Sequence, residues 1–77
     1  MIATHNIEKI SFDNDNMMIC VDGIELKIPL EKLSNRLKNA KVIERTMYKI
    51  SPSGYGIHWP LIDEDLSIEG ILRDFKK

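Results

Sequence analysis

A single cysteine, Cys20, occurs in the 77 residues, which excludes an internal disulfide and a cysteine-built zinc site and fits a reducing compartment. No apolar run approaches the roughly 20 residues that a membrane-spanning helix requires. A strong excess of either charge is also missing: the net charge is −1, far from the basic balance of a dedicated DNA-binding domain. Gly-x-Ser-x-Gly, a phosphate-binding loop and zinc-ligand spacing are all lacking, so the usual marks of hydrolases, nucleotide-binding enzymes and zinc enzymes are not there. The start, Met1-Ile2-Ala3-Thr4-His5-Asn6, has neither the basic nor the apolar stretch of a signal peptide. The expectation is a cytoplasmic protein with no membrane contact and no cofactor.

The composition, 43% hydrophobic and 30% charged, is that of a globular chain, and its length makes residues 1–77 one domain. A chain this short buries only about 60% of the surface its unfolded form exposes, so its core is marginal unless a partner shares it. Charge is distributed unevenly. Residues 1–26 hold one lysine against five acids, residues 27–49 hold seven basic residues against two, and the remainder holds three against five. The basic middle is a candidate for weak nucleic-acid contact through Lys32, Arg36, Lys38, Lys41 and Arg45, although on its own it reads more simply as a solvated mixed surface.

Local patterning predicts a three-stranded meander first. Ile7 to Phe12 reads as a strand, Asp13-Asn14-Asp15-Asn16 as a turn, and Met17, Ile19 and Val21 alternate. Asp22-Gly23 then forms a type I′ hairpin loop, followed by alternating Ile24, Leu26 and Ile28. A two-residue loop pairs Val21 with Ile24, Ile19 with Leu26 and Met17 with Ile28. The first strand adds Ile10 opposite Ile19 and Phe12 opposite Met17 on the same face. The other face carries Met18, Cys20, Glu25 and Lys27. Pro29 closes the strand and opens a helix over about 30–39, where Leu30, Leu33, Leu37 and Ala40 recur at helical spacing. Residues 39–45 read equally as a short helix or a loop.

A second hairpin follows, with Ile50 opposite Ile57 and Tyr48 opposite Trp59 across the turn Pro52-Ser53-Gly54. Pro60 ends it, Asp63-Glu64-Asp65 forms an acidic loop, and Ser67 caps a final helix ending near Phe75, with Leu66 and Ile71 as a hydrophobic staple. The fold class is therefore α+β: antiparallel β-hairpins with about five strands, and two or three short helices packed on one face.

Taken in order, Asp22-Gly23, Ile28-Pro29-Leu30, Gly54-Tyr55-Gly56-Ile57-His58-Trp59-Pro60, Asp63-Glu64-Asp65-Leu66-Ser67 and Glu69-Gly70-Ile71-Leu72 resemble the small bacterial proteins grouped as domain of unknown function 2442. The resemblance spans nearly the whole chain. It implies a compact α+β domain in bacteria with no established activity, sometimes fused to a helix-turn-helix domain and often encoded beside another small protein in a toxin–antitoxin-like arrangement. With the chain ending at Lys77, no appended DNA-binding domain is expected. Glu31-Lys32-Leu33-Ser34-Asn35-Arg36 departs from the aromatic and proline content usual in the family at that helix.

The residues that stand out as candidates for contact are Tyr55, His58, Trp59, Asp63, Glu64 and Asp65. Asp63-Glu64-Asp65 offers carboxylates to a hard cation but lacks the further ligands of a calcium loop, and the simpler reading is negative charge ahead of a helix N-terminus. His58 with Asp63 or Asp65 resembles an acid–base pair without a nucleophile, metal or oxyanion site. Trp59 points inward beside Tyr48 by strand alternation, whereas Tyr55 sits at a loop tip and suits an interface anchor better. The reading that follows is a non-enzymatic protein-interaction module, acting on a protein partner or on itself, and the resemblance implies for it the place of the antitoxin-like member of a pair. A small hydrolase using His58 and the Asp63/Asp65 loop, and a weak nucleic-acid-binding regulator using residues 27–49, are the alternatives. The hairpin register makes its own prediction: Gly23→Val should destabilise by more than about 1 kcal/mol in urea titration, because a β-branched residue resists the positive φ of a type I′ turn.

Overall fold

Register in the first third follows from the alternation and from one tight turn. The computed structural model describes residues 5–76; residues 1–4, part of the stretch read for a leader, lie outside them, as does residue 77. β1 (Ile7–Phe12), β2 (Asn16–Val21) and β3 (Ile24–Pro29) form an antiparallel meander in that order. Val21 faces Ile24, Ile19 faces Leu26 and Met17 faces Ile28, while Phe12 faces Met17 and Ile10 faces Ile19, all as the pattern requires. Asp22 at φ 51 and Gly23 at φ 81 supply the two positive torsions of a type I′ turn. Nothing lies within 4 Å of where a Gly23 Cβ would stand, so glycine is needed there for torsion and not for space. The β1–β2 turn is closed by Asp13, whose Oδ1 accepts the amides of Asp15 at 2.9 Å and Asn16 at 2.7 Å. These bonds, the one from Asp15 first, hold the Asp13 carboxyl below the usual carboxylate range.

Beyond Pro29 the single helix expected over 30–39 is two: α1 (Leu30–Leu33) and α2 (Asn35–Lys38). Ser34 breaks it, with extended torsions of φ −165 and ψ 119. Its hydroxyl accepts the Leu37 amide at 3.1 Å and donates to Glu64 at 2.6 Å, a serine preferring a cap to a helix interior. The apolar spacing survives the break, since Leu30 and Leu37 are both fully buried. The ambiguous stretch after residue 39 resolves partly into a helix, α3 (Val42–Thr46), with Glu44 accepting the Lys41 amide at 2.7 Å.

A second antiparallel sheet runs in the order β4 (Lys49–Ile50), β5 (Gly56–Trp59), β6 (Glu64–Ser67). Ile50 faces Ile57, and the rings of Tyr48 and Trp59 lie 6.3 Å apart at 54°, so the aromatic pair forms although Tyr48 precedes the strand. β6 is a difference from the expected acidic loop. Only Asp63 stays in the turn, at φ 51, while Glu64 pairs with Trp59 and Asp65 with His58. A strand reading Glu-Asp-Leu-Ser has too little alternation to announce itself, and its place comes from the ladder to β5 and from the Ser34 bond to Glu64. Ser67 caps α4 (Ile68–Phe75) as expected, accepting the Gly70 amide at 3.1 Å.

One core joins both sheets and three helices: Met17, Ile19, Val21 and Ile28 from the meander, Leu30 and Leu37 from α1 and α2, Ile57 and Trp59 from β5, and Ile68 and Ile71 from α4. Across its rim lies Arg45, only 9% exposed. Its Nε donates to the Leu37 carbonyl and its Nη2 to that of Lys38, both at 2.9 Å. Its Nη1 reaches the carbonyls of Asp13 at 3.2 Å and Asn14 at 3.3 Å, and the guanidinium stands 5.9 Å from the Phe12 ring centroid. Arg45 is thus an internal fastener and does not belong to the surface set of basic residues in which the sequence places it. Arg45→Ala should lower the unfolding free energy by roughly 3 kcal/mol, the range for a severed buried polar network. Arg45→Lys should recover only a minor part, since one ammonium cannot span carbonyls held by a fork; urea titration of the two variants measures both.

Candidate functional site

β5 sorts the candidate residues by parity. Ile57 and Trp59 face the core and are buried, and the Trp59 indole N–H donates to the Arg45 carbonyl at 2.9 Å. Glu64, opposite Trp59, takes the Ser34 hydroxyl. Asp63 stands apart in its turn, where its carbonyl accepts from Arg36. Trp59 and Glu64 are thus partners on the inner side of the ladder, and Asp63 lies apart from them in the turn.

Tyr55, His58 and Asp65 are the three that come together. They border one open groove of about 590 Å³, with Lys49, Ile50 and Leu66. His58 Nδ1 and Asp65 Oδ1 are 2.8 Å apart across the β5–β6 ladder, with side chains 40% and 75% exposed. Lys49 lies opposite His58 on β4, so Lys49, His58 and Asp65 form a row over three strands on one face of the sheet. Tyr55 is 52% exposed in the loop above them. That loop is shaped by Ser51, whose hydroxyl accepts the Tyr55 amide at 2.9 Å and the Gly56 amide at 3.1 Å, and by Gly54 at φ 70. As chemistry, the row is a base oriented by a carboxylate. The nearby hydroxyls of Ser51 and Ser67 serve backbone amides, and among the described residues neither is hydrogen-bonded to His58.

Sequence spacing gave no sign of a second cluster. His5 is bonded through Nδ1 to Asp22 at 2.7 Å and through Nε2 to Glu69. The partners are 17 and 64 residues away in the chain, so no local pattern could reveal them. Because the two carboxylates meet opposite ring nitrogens they do not converge on one point, and among the described residues no group of three His, Cys, Asp or Glu side chains is arranged to hold a metal ion. Loss of hydration, then the Glu8 carboxylate, pushes the Cys20 thiol up, away from nucleophilic character. No helix of the described residues is long and apolar enough to cross a membrane.

The family described as protein of unknown function (DUF2442) matches residues 7–77. Among solved structures, the chain is similar to a crystal structure of a protein of unknown function from Rhodospirillum rubrum, with 25% identity, a TM-score of 0.69, and coverage of 90% of this chain and 86% of that one. No curated protein matches the chain. The exposed His58–Asp65 contact sets a bound of its own: His58→Ala should change the unfolding free energy by less than about 1 kcal/mol, as for other solvent-facing polar pairs. Thermal melting at neutral pH checks this, and a larger loss would mean the pair holds the sheet together.

Proposed function

We propose that this chain, which belongs to the family of proteins of unknown function DUF2442, acts as a non-enzymatic protein-interaction module in the cytoplasm, the antitoxin-like member of a two-gene pair. The observation that carries this reading is the groove under Tyr55. The half-exposed Tyr55 lines this groove together with Ile50 and Leu66, and the row Lys49, His58 and Asp65 borders the same opening. Aromatic side chains next to apolar pockets and ringed by polar groups are what anchor protein interfaces. The mixed charges would set orientation more than affinity. β4 strengthens the reading, being an edge strand of only two residues, short enough to resist indiscriminate pairing yet open to a partner strand laid along it.

Co-purification with the product of the neighbouring gene tests the proposal. The wild-type chain should retain that protein, and Tyr55→Ala should weaken retention by about tenfold or more with unchanged melting, since an interface anchor contributes over 1 kcal/mol. Equal retention by the variant would place the contact elsewhere, and a chain that self-associates through Tyr55 without binding the neighbour would replace the pair by a homo-oligomer.

A further inference from the structure

We propose that His5 is the pin of a proton-dependent latch that fastens residues 5–6 to both sheets and to α4. This inference stands independently of the partner reading. His5 has a side chain 11% exposed, and both of its ring nitrogens face carboxylates: Asp22 in the β2–β3 turn at 2.7 Å and Glu69 in the first turn of α4. A neutral imidazole has one N–H and one lone pair, so it can satisfy only one carboxylate and turns its lone pair on the other. Only the imidazolium donates to both.

The backbone around the pin is laced in the same way. The His5 amide donates to the Ser53 carbonyl at 3.0 Å, and the Asp22 amide to the Asn6 carbonyl at 2.8 Å. The Asn6 amide in turn donates to Asp22 Oδ1 at 2.7 Å. Gly54 makes room for the arm, since a Cβ there would stand 1.9 Å from the His5 carbonyl oxygen. The latch therefore reaches from the meander turn to the turn that precedes Tyr55.

Among the described residues the ionisable groups that bear on His5 are few. Asp22 and Glu69 face it directly; Lys76, beyond α4, acts on Asp22. Glu8, from β1, is turned to the Gly23 amide at 3.0 Å and to the Cys20 thiol. The Ser53–Gly54 turn, which accepts the His5 amide, carries no ionisable side chain. The Asp22 bond, then the Glu69 bond, raises the His5 pKa above its ordinary 6.5. Stability from this group is thus fully present below the unfolded value and lost as pH climbs through the raised folded one. Asp22 moves the other way. Its carboxyl is held low, by the Asn6 amide first and His5 second, so its share is present above the ordinary carboxylate value and lost as pH falls through the depressed one. The latch is closed between these limits and opens on the alkaline side when His5 loses its proton.

NMR of the full chain tests this without any variant. The His5 ring should titrate above about 6.5, the ordinary value, and protection of the Asp22 amide, corrected for intrinsic exchange, should fall along the same curve. Asp22→Asn and Glu69→Gln should each bring the His5 midpoint down. The melting deficit of His5→Gln should be largest at about pH 5.5 and shrink by more than half at about pH 9, above the ordinary imidazole range. A His5 midpoint at or below the ordinary value, or Asp22 protection that does not follow it, overturns the latch. So does a midpoint indifferent to both carboxylate substitutions.

Discussion

The fold turns on one buried cation that, among the described residues, has no carboxylate partner. The Arg45 guanidinium meets four backbone carbonyls, two at the end of α2 and two in the β1–β2 turn, and its own carbonyl takes the Trp59 indole N–H. Carbonyls at a helix C-terminus lack intrahelical partners and carry partial negative charge, so a fork of N–H donors suits them electrically and geometrically. The turn carbonyls have the same deficit. Through this residue the meander, the short helices and the second sheet are tied at one point, and Trp59 can be wholly buried because its polar edge finds an acceptor there.

That arrangement explains what the sequence revealed and what it hid. The pairing of β2 with β3 was readable because Asp22-Gly23 sets a two-residue turn and each of those pairs follows from counting outward, and the pairing of β1 with β2 was readable from Phe12 back to Lys9, beyond which the register shifts. Tyr55 and Trp59 were separable for a similar reason: strand parity sends Trp59 inward and leaves Tyr55 in the loop. The features that were hidden depend on distant partners. Ser34 leaves the helix for Glu64, Glu64 and Asp65 become strand against β5, and Arg45 looks like a surface cation until four carbonyls surround it. Periodicity reports which face is apolar. It does not report which polar side chain will find a carbonyl thirty residues away.

The candidate site shows the same division. Of six residues chosen by type, Tyr55, His58 and Asp65 converge on one groove because β5 and β6 are neighbours and the Ser51 hydroxyl shapes the loop above them. Trp59 and Glu64 belong to the interior side of the same strands, and Asp63 to the turn between them. Adjacent residues on a strand thus serve opposite purposes, and a slip of one residue in the β5–β6 ladder would exchange them.

The chain order of the core has a consequence for synthesis. Met17, Ile19, Val21 and Ile28 can pair their strands as soon as the meander emerges, but Trp59 and Ile68, which share their core, lie 31 and 40 residues beyond Ile28, and the second distance takes roughly 2–8 s at about 5–20 residues per second. Until then a formed sheet presents a bare apolar face and two open edges, the kind of surface that recruits chaperones and proteases. A chain cut short before α4 lacks Ile68 and Ile71, so the part of the core that these two close stays open in an incomplete copy.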